Sequence, residues 1–388
     1  MSEKAVQYDA THIQVLEGRE AIRKRPGMYV GSTGERGLHQ LVFEVTDRAV
    51  DEVLAGRAGS VDVTLTPDGG VRVTDDGPGV PVEAAGDTGS PGLEALLTRT
   101  CAGAEPGGRH TTAVRIVALG PAVTNALSSR LTAEVRRYGV RWVQEYTRGV
   151  AVTPPTAAGP ATGSGTTIAF QPDAGIFETT EVSYAVLAQH FRELAFLNRG
   201  LDVTLTDERP PGEPRSERFR FPGGAADFVA FLDAEAGTPL HRDVICFERT
   251  DPRMEGTMEV ALRWCDSPEE RIRGFANSRA TLEGGTHEAG FRAGVTAAVN
   301  AYARQRRLLT AADPDLTIDR IGEGLTAVVS VKLDCPEFQG ATRGRLSGAV
   351  IHDCVATAVQ EHLGAWLEEQ EDAAGAVIGR ILQGARRS

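Results

Sequence analysis

The junction that most constrains this chain is an amphipathic helix followed by a hairpin whose second strand runs straight into Asp75-Asp76-Gly77-Pro78-Gly79. Leu38, Leu41, Val42, Val45, Ala49 and Val53 recur at helical spacing, which predicts a helix over 38–55 with Gly56 as its C-cap. Val61, Val63 and Leu65 then alternate, Pro67 to Gly70 supply turn chemistry, and Val71 and Val73 resume the alternation. The hairpin thus brings a carboxylate to the end of a buried strand, followed by glycines that let backbone pass close to a planar ligand. Glu44, Asp47, Arg48 and Asp51 sit three and four apart on the helix and share the face opposite the apolar stripe. A charged face alone is ordinarily a solvated one, and DGxG alone is a common turn. An inward Glu about 30 residues before a strand ending in DDGxG is a far sharper signal.

Elsewhere the pattern predicts helices over 183–197, 290–306, 346–369 and 373–386, and strands over 258–264 and 325–333. Helices and strands interleave without a regular βαβ repeat, which gives the α+β class. Thr153 to Gly165 and Arg209 to Glu217, rich in Pro, Gly, Ser and Thr, read as surface loops. The 388 residues suggest two or three domains, and 41 Lys+Arg against 53 Asp+Glu leave a formal net charge of −12. That acidity argues against a surface built as a whole to bind nucleic acid. The five cysteines are scattered with no CxxC pair, so they read as reduced thiols in a reducing compartment. No segment approaches the length of a membrane span and the N-terminus has no apolar core, so a cytoplasmic location without membrane association is expected.

With those residues in place, the chain resembles the ATPase region of bacterial DNA gyrase B. The resemblance is carried by YDATHIQVLEGREAIRKRPGMYVGST, LHQLVFEVTDRAVDEVLAG, VTDDGPGVP, VTNALS, GSGTTIAF, LEGGTHEAGFRAG and EGLTAVVSVKL, which together span nearly the whole chain. It implies a GHKL-type ATPase α/β sandwich over about 1–220, with an N-terminal dimerisation arm over about 1–20, and a ribosomal S5-like transducer over about 221–388. It further implies ATP and Mg as cofactors, a homodimer, gyrase subunits as possible partners, and contact with DNA that is weak or indirect. Residue by residue, Glu44 matches the general base that activates the attacking water, Asp75 the carboxylate that receives the adenine amino group, and Gly77, Gly79 and Thr166 the same pocket. Tyr8 matches the arm tyrosine that reaches the partner's nucleotide.

The departures from the family pattern are as informative as the matches. Arg48 stands where the family has the Asn that coordinates magnesium; a guanidinium has no acceptor atom, so no metal ligand is assigned, and Arg48 lies one turn from Glu44 on the same face, where the two can pair. The glycine-rich phosphate loop is replaced by Val114-Arg115-Ile116-Val117-Ala118-Leu119-Gly120, followed by Pro121, which removes an amide donor. Ala104 replaces a lid lysine, Val143 and Pro78 replace arginines of the pocket mouth, and Arg343 stands at the position of the transducer's catalytic lysine. ATP hydrolysis is therefore expected to be weak or absent, and because no downstream cleavage domain follows, no strand cleavage is expected. Two alternatives stay open. In one, Glu44 serves as acid or base on a small anionic metabolite held by Arg48 or Arg115; in the other, the chain is a non-catalytic decoy or partner that pairs with gyrase subunits or binds gyrase-directed inhibitors. Val143 and Pro78 at the pocket mouth lead separately to the expectation that aminocoumarin-type inhibitors bind weakly. His39 and His287 read as structural, and His110 and His352 have no visible triad partner.

Overall fold

The computed structural model describes residues 18–83, 92–99, 120–234, 237–339 and 344–386. Helices α1 (Gly18–Lys24), α2 (Gly27–Val30) and α3 (Glu35–Leu54) open the chain and lead into β1 (Val61–Leu65) and β2 (Val71–Asp75). Next come α4 (Leu93–Thr98), α5 (Gly120–Ala126), β3 (Ser128–Arg137), β4 (Val140–Thr147), β5 (Val150–Ala151), β6 (Thr156–Pro160), β7 (Gly165–Pro172), α6 (Tyr184–Leu197), β8 (Val203–Asp207) and β9 (Arg215–Phe219). The strands form one sheet in the order β5-β4-β3-β7-β2-β1-β8-β9, with β6 added beside β4. Only the β1–β8 pairing in it is parallel.

The inward residues of β1 and β2 alternate as the sequence predicts, and α3 lays its buried stripe of Leu38, Leu41, Val42 and Val45 over them. The helix begins a turn earlier than its apolar spacing indicates, and the chain leaves it through Ala55 and a left-handed Gly56. The stretch 153–165, expected to be loop, contains β6. This strand pairs with β4 through its backbone and exposes every one of its side chains, so apolar alternation could not reveal it. Likewise β9 occupies the end of the expected second loop.

The second layer starts with α7 (Ala225–Asp233) and holds β10 (Ile245–Asp251), β11 (Gly256–Trp264), β12 (Arg271–Ala276), β13 (Arg279–Ala280), α8 (Thr286–Gln305), α9 (Ile318–Ile321), β14 (Leu325–Leu333), β15 (Phe338–Gln339), β16 (Arg345–Leu346), α10 (Ala349–Glu369) and α11 (Glu371–Arg386). Its sheet runs β10-β11-β14-β12-β13, and α8 and α10 pack together over the core that includes Trp264, Phe291 and Val359. Leu346, expected to begin the long helix, belongs instead to β16.

A third apolar cluster joins the two layers. Phe196 at the end of α6 stacks on Phe221 and on Phe228 of α7, with ring centroids 3.8 and 4.7 Å apart, and the cluster continues to Phe275 and Val328. This architecture is a GHKL-type α/β sandwich followed by an S5-like transducer fold. Among the described residues no helix is long and apolar enough to cross a membrane.

Candidate functional site

The packing of α3 on the first sheet sends three neighbouring polar side chains of that helix to three different elements. Arg48 reaches the end of β2, Glu44 reaches the start of α5, and Asp47 reaches β13 of the second sheet.

At the end of β2, Asp75 stands directly across the ladder from Thr166 of β7, so strand register brings the carboxylate and the hydroxyl together. Asp75 is 1% exposed. Its Oδ1 accepts from the Gly77 amide at 3.0 Å, and its Oδ2 accepts from Arg48 Nη1 at 2.5 Å. A second Arg48 nitrogen donates to Thr166 Oγ1 at 3.4 Å, and the same oxygen accepts from the Val80 amide at 3.1 Å. Gly79, with φ of 75°, makes the turn beyond: a Cβ there would lie 2.8 Å from the Arg136 carbonyl.

The Glu44–Arg48 pair is therefore not formed. Helical spacing allows that contact, but the Arg48 guanidinium turns across the sheet to Asp75 and Thr166, and both Glu44 oxygens are taken by other donors. Glu44 instead accepts from Gln40 Nε2 at 2.6 Å and from the Gly120 amide at 2.9 Å. Burial pushes the Glu44 carboxyl above its ordinary value and the neighbouring Asp47 charge adds to this, while Arg279 and the two hydrogen bonds oppose it. Asp47 is likewise raised by burial and opposed by Arg279, whose Nη2 donates to Asp47 Oδ2 at 2.9 Å.

Pro121 also behaves differently from expectation. It is the second residue of α5, within the first turn, where its missing N–H would have no intrahelical partner in any case. Gly120, with φ of 61°, starts that helix and supplies the amide to Glu44. Tyr8, Ala104, Arg115 and the rest of 114–119, His110 and Arg343 lie outside the described residues. His39 accepts from the Ser183 amide and His287 is fully buried against Thr281, in keeping with structural roles. Four cysteines, Cys246, Cys265, Cys335 and Cys354, are free thiols.

Residue-by-residue reading missed two contributors. Gln40 lies one turn before Glu44, so helical spacing could have found it. Arg279 lies more than 200 residues away along the chain, at a separation of 232 from Asp47, and no sequence signal links them.

Chemically, a guanidinium is seated on the carboxylate at the end of β2. Both carboxylate oxygens of Asp75 and the Thr166 hydroxyl already accept hydrogen bonds from the protein. The other N–H groups of Arg48 have no partner among the described residues, so the site presents donors where a bare carboxylate would present acceptors. Position 48 holds no acceptor for a cation, and no group of at least three His, Cys, Asp or Glu able to hold a metal occurs among the described residues. The side chains present thus do not fit magnesium at position 48, and an amino-bearing base at Asp75 would share its acceptor with Arg48.

Comparison with known proteins follows the two layers. A family of histidine kinase-, DNA gyrase B- and HSP90-like ATPases matches residues 33–175, and the DNA gyrase B family matches 224–388. The DNA gyrase B of Streptomyces coelicolor is 44% identical over 394 residues, covering 97% of this chain. The novobiocin-sensitive DNA gyrase B of Streptomyces niveus is 43% identical, also over 97% of the chain. This chain spans 57% and 58% of the lengths of those two relatives. Among solved structures, the 43K ATPase domain of Thermus thermophilus gyrase B, in complex with an aminocoumarin, superposes with a TM-score of 0.79 at 33% identity, covering 95% of each chain. The ATP-binding domain of Francisella tularensis topoisomerase IV gives 0.76 at 27% identity, covering 96% of this chain and 98% of its own.

Proposed function

Because the chain belongs to the DNA gyrase B family, over that family's ATPase and transducer region, we propose that it is an ATPase–transducer module whose nucleotide pocket is closed by Arg48 and whose ATP turnover is slow or absent. The division falls near residues 220 and 221, with a dimerisation arm over about 1–20. In this reading Asp75, Gly77, Gly79 and Thr166 form the base pocket, with Gly120, Arg115 and Tyr8 around the rest of the ligand. Glu44 is the base, and Arg343 faces the terminal phosphate from the transducer.

The observation that carries the proposal is the Arg48–Asp75 pair. Its contact is 2.5 Å between side chains that are 16% and 1% exposed. An adenine amino group needs an acceptor, and each Asp75 oxygen already accepts one hydrogen bond, so the base would have to share an oxygen with Arg48 or with the Gly77 amide. The chemistry that ATP and magnesium supply together is a terminal phosphoryl group whose charge is neutralised for attack. This chain's contribution is a carboxylate, Glu44, held by Gln40 and Gly120 and biased toward its protonated form by burial. Without an acceptor at position 48 the metal loses a ligand, and the stabilisation of transferred charge is lost with it.

A second reading is favoured by the N–H groups of Arg48 that have no partner among the described residues: a small anionic ligand held by Arg48, with Glu44 as its acid or base. Family membership supports extending the proposal to partnership with gyrase subunits and to homodimerisation.

The test is turnover. Phosphate release from ATP with magnesium should not exceed that of Glu44→Gln. Release at least about tenfold above Glu44→Gln, equivalent to about 1.4 kcal/mol of transition-state stabilisation, would overturn the proposal.

A further inference from the structure

The contact between Arg279 and Asp47 crosses from the second sheet to the helix that carries Glu44, and the backbone that delivers it is held in an unusual conformation. β12 and β13 are joined by Asn277 and Ser278, which take φ of 47° and 63°. Two such residues make the type I′ turn of a two-residue hairpin, which Asn suits at its first position and Ser suits less at its second. Here they are fastened on both sides. Asn277 exchanges hydrogen bonds with the Leu333 backbone at 3.0 and 2.8 Å, and its amide donates to Val331. Ser278 Oγ accepts from Asn198 Nδ2 at 2.9 Å, and Lys332 Nζ donates to Asn198 Oδ1 at 2.9 Å. The tip is thereby clamped between the end of β14 and the residue that caps α6. Arg279 is the next residue along.

We propose that Arg279 is a positioning residue for Glu44: through Asp47 it holds the charge of the buried acid pair on α3, so that seating of the β12–β13 hairpin decides whether Glu44 is free to accept a proton. The proposal rests on reading Glu44 as the base of this pocket.

Asp51 follows Asp47 by one turn on α3 and is the third carboxylate of that helix face. On α3, Glu44 and Asp47 lie one turn apart, and Arg48 is engaged with Asp75. From α6, the His190 ring packs tilted against Phe43, with centroids 3.9 Å apart; burial, with Arg279 beside it, lowers its pKa to about 3, so it is neutral and offers no compensating charge. Glu193 of α6 is paired with Arg273 of β12 at 3.0 Å. From α5 the contact is the Gly120 amide. Among the described residues, the charged neighbours that bear on Glu44 are Asp47 and Arg279, which push in opposite directions. Withdrawal of the hairpin would leave two largely buried carboxylates each beside a like charge, and such pairs keep a proton. A shift of the transducer relative to the first sheet would thus switch the base off without touching the pocket.

The test reads the carboxyl directly. Protein labelled with carbon-13 at the glutamate carboxyls is titrated by NMR, with Glu44→Gln assigning the Glu44 resonance. Arg279→Gln should move the Glu44 midpoint upward by about one pH unit, roughly a tenfold change in proton affinity. Arg279→Lys, which keeps the charge, should lie closer to wild type than to Arg279→Gln. A midpoint in Arg279→Gln displaced by less than about half a unit, or a Lys variant that behaves as the Gln variant does, overturns the proposal. If Arg279→Gln does not fold, Asp47→Asn reads the same coupling: its midpoint should fall, and an unchanged midpoint overturns the proposal. The readout needs no nucleotide, so it stands or fails separately from ligand binding and turnover.

Discussion

Replacing Asp75 by Asn removes one charge from the Arg48–Asp75 pair while keeping its shape. The Asn side-chain oxygen can still accept from the Gly77 amide, so the change isolates the ion pair. At an effective dielectric near 20, charges about 4 Å apart attract by about 4 kcal/mol. Removing one member of a buried pair typically costs about 3–5 kcal/mol, because the other charge stays buried without its partner. Arg48 is 16% exposed, so water can reach it in part, and the low end applies: about 3 kcal/mol. For a unit of this size that corresponds to a fall of roughly 6–12 °C in Tm. The assay is urea unfolding near neutral pH, followed by circular dichroism, for Asp75→Asn, Arg48→Met and the double variant. Removing both charges should recover most of the loss, with a coupling energy of about 2 kcal/mol or more. A cost below about 1 kcal/mol with additive single variants is the behaviour of an exposed pair. That result would refute the sequestration of Asp75 by Arg48.

Two further predictions follow from neighbouring geometry. Gly165 has φ of 147°, and a Cβ there would stand 2.2 Å from the Asp75 carbonyl oxygen, so Gly165→Ala must separate β7 from the end of β2 and should cost at least about 2 kcal/mol by chemical denaturation. His190 is held neutral with a pKa of about 3, below its unfolded value, so its contribution is present above about pH 6.5 and is lost as pH falls toward the folded value. Between neutral pH and about pH 5 this amounts to about 2 kcal/mol, and His190→Phe should flatten that part of the stability–pH curve; an unaltered curve in that variant would contradict it.

Much of the first sheet was legible because its signals are local. The apolar stripe of α3 and the alternation in β1 and β2 state which faces are buried, and the abrupt DDGPG places a carboxylate at the strand end. β6 was not legible because an exposed edge strand held by backbone bonds needs no apolar pattern, so Thr, Ala, Gly and Pro serve there as well as in a loop. The partner of Arg48 was misread for a related reason. Spacing along one helix names Glu44, whereas the carboxylate it meets is 27 residues on, and only the packing of α3 across β2 brings them together. Arg279 carries no periodic or motif signal at all. Its significance arises from a tight hairpin turn fastened by Asn198 and Leu333, and those contacts exist only once both sheets are assembled.

The central claim, that Arg48 closes the pocket, is tested most directly by calorimetric titration of wild type and Arg48→Asn with a non-hydrolysable ATP analogue, with and without magnesium. The substitution frees Asp75 to accept from the base and returns an oxygen acceptor to position 48. Wild type should bind weakly and without dependence on magnesium, and Arg48→Asn should bind at least about tenfold tighter and with magnesium dependence, a gain of about 1.4 kcal/mol or more. Micromolar, magnesium-dependent binding by wild type that Arg48→Asn leaves unchanged or weakens would contradict the claim.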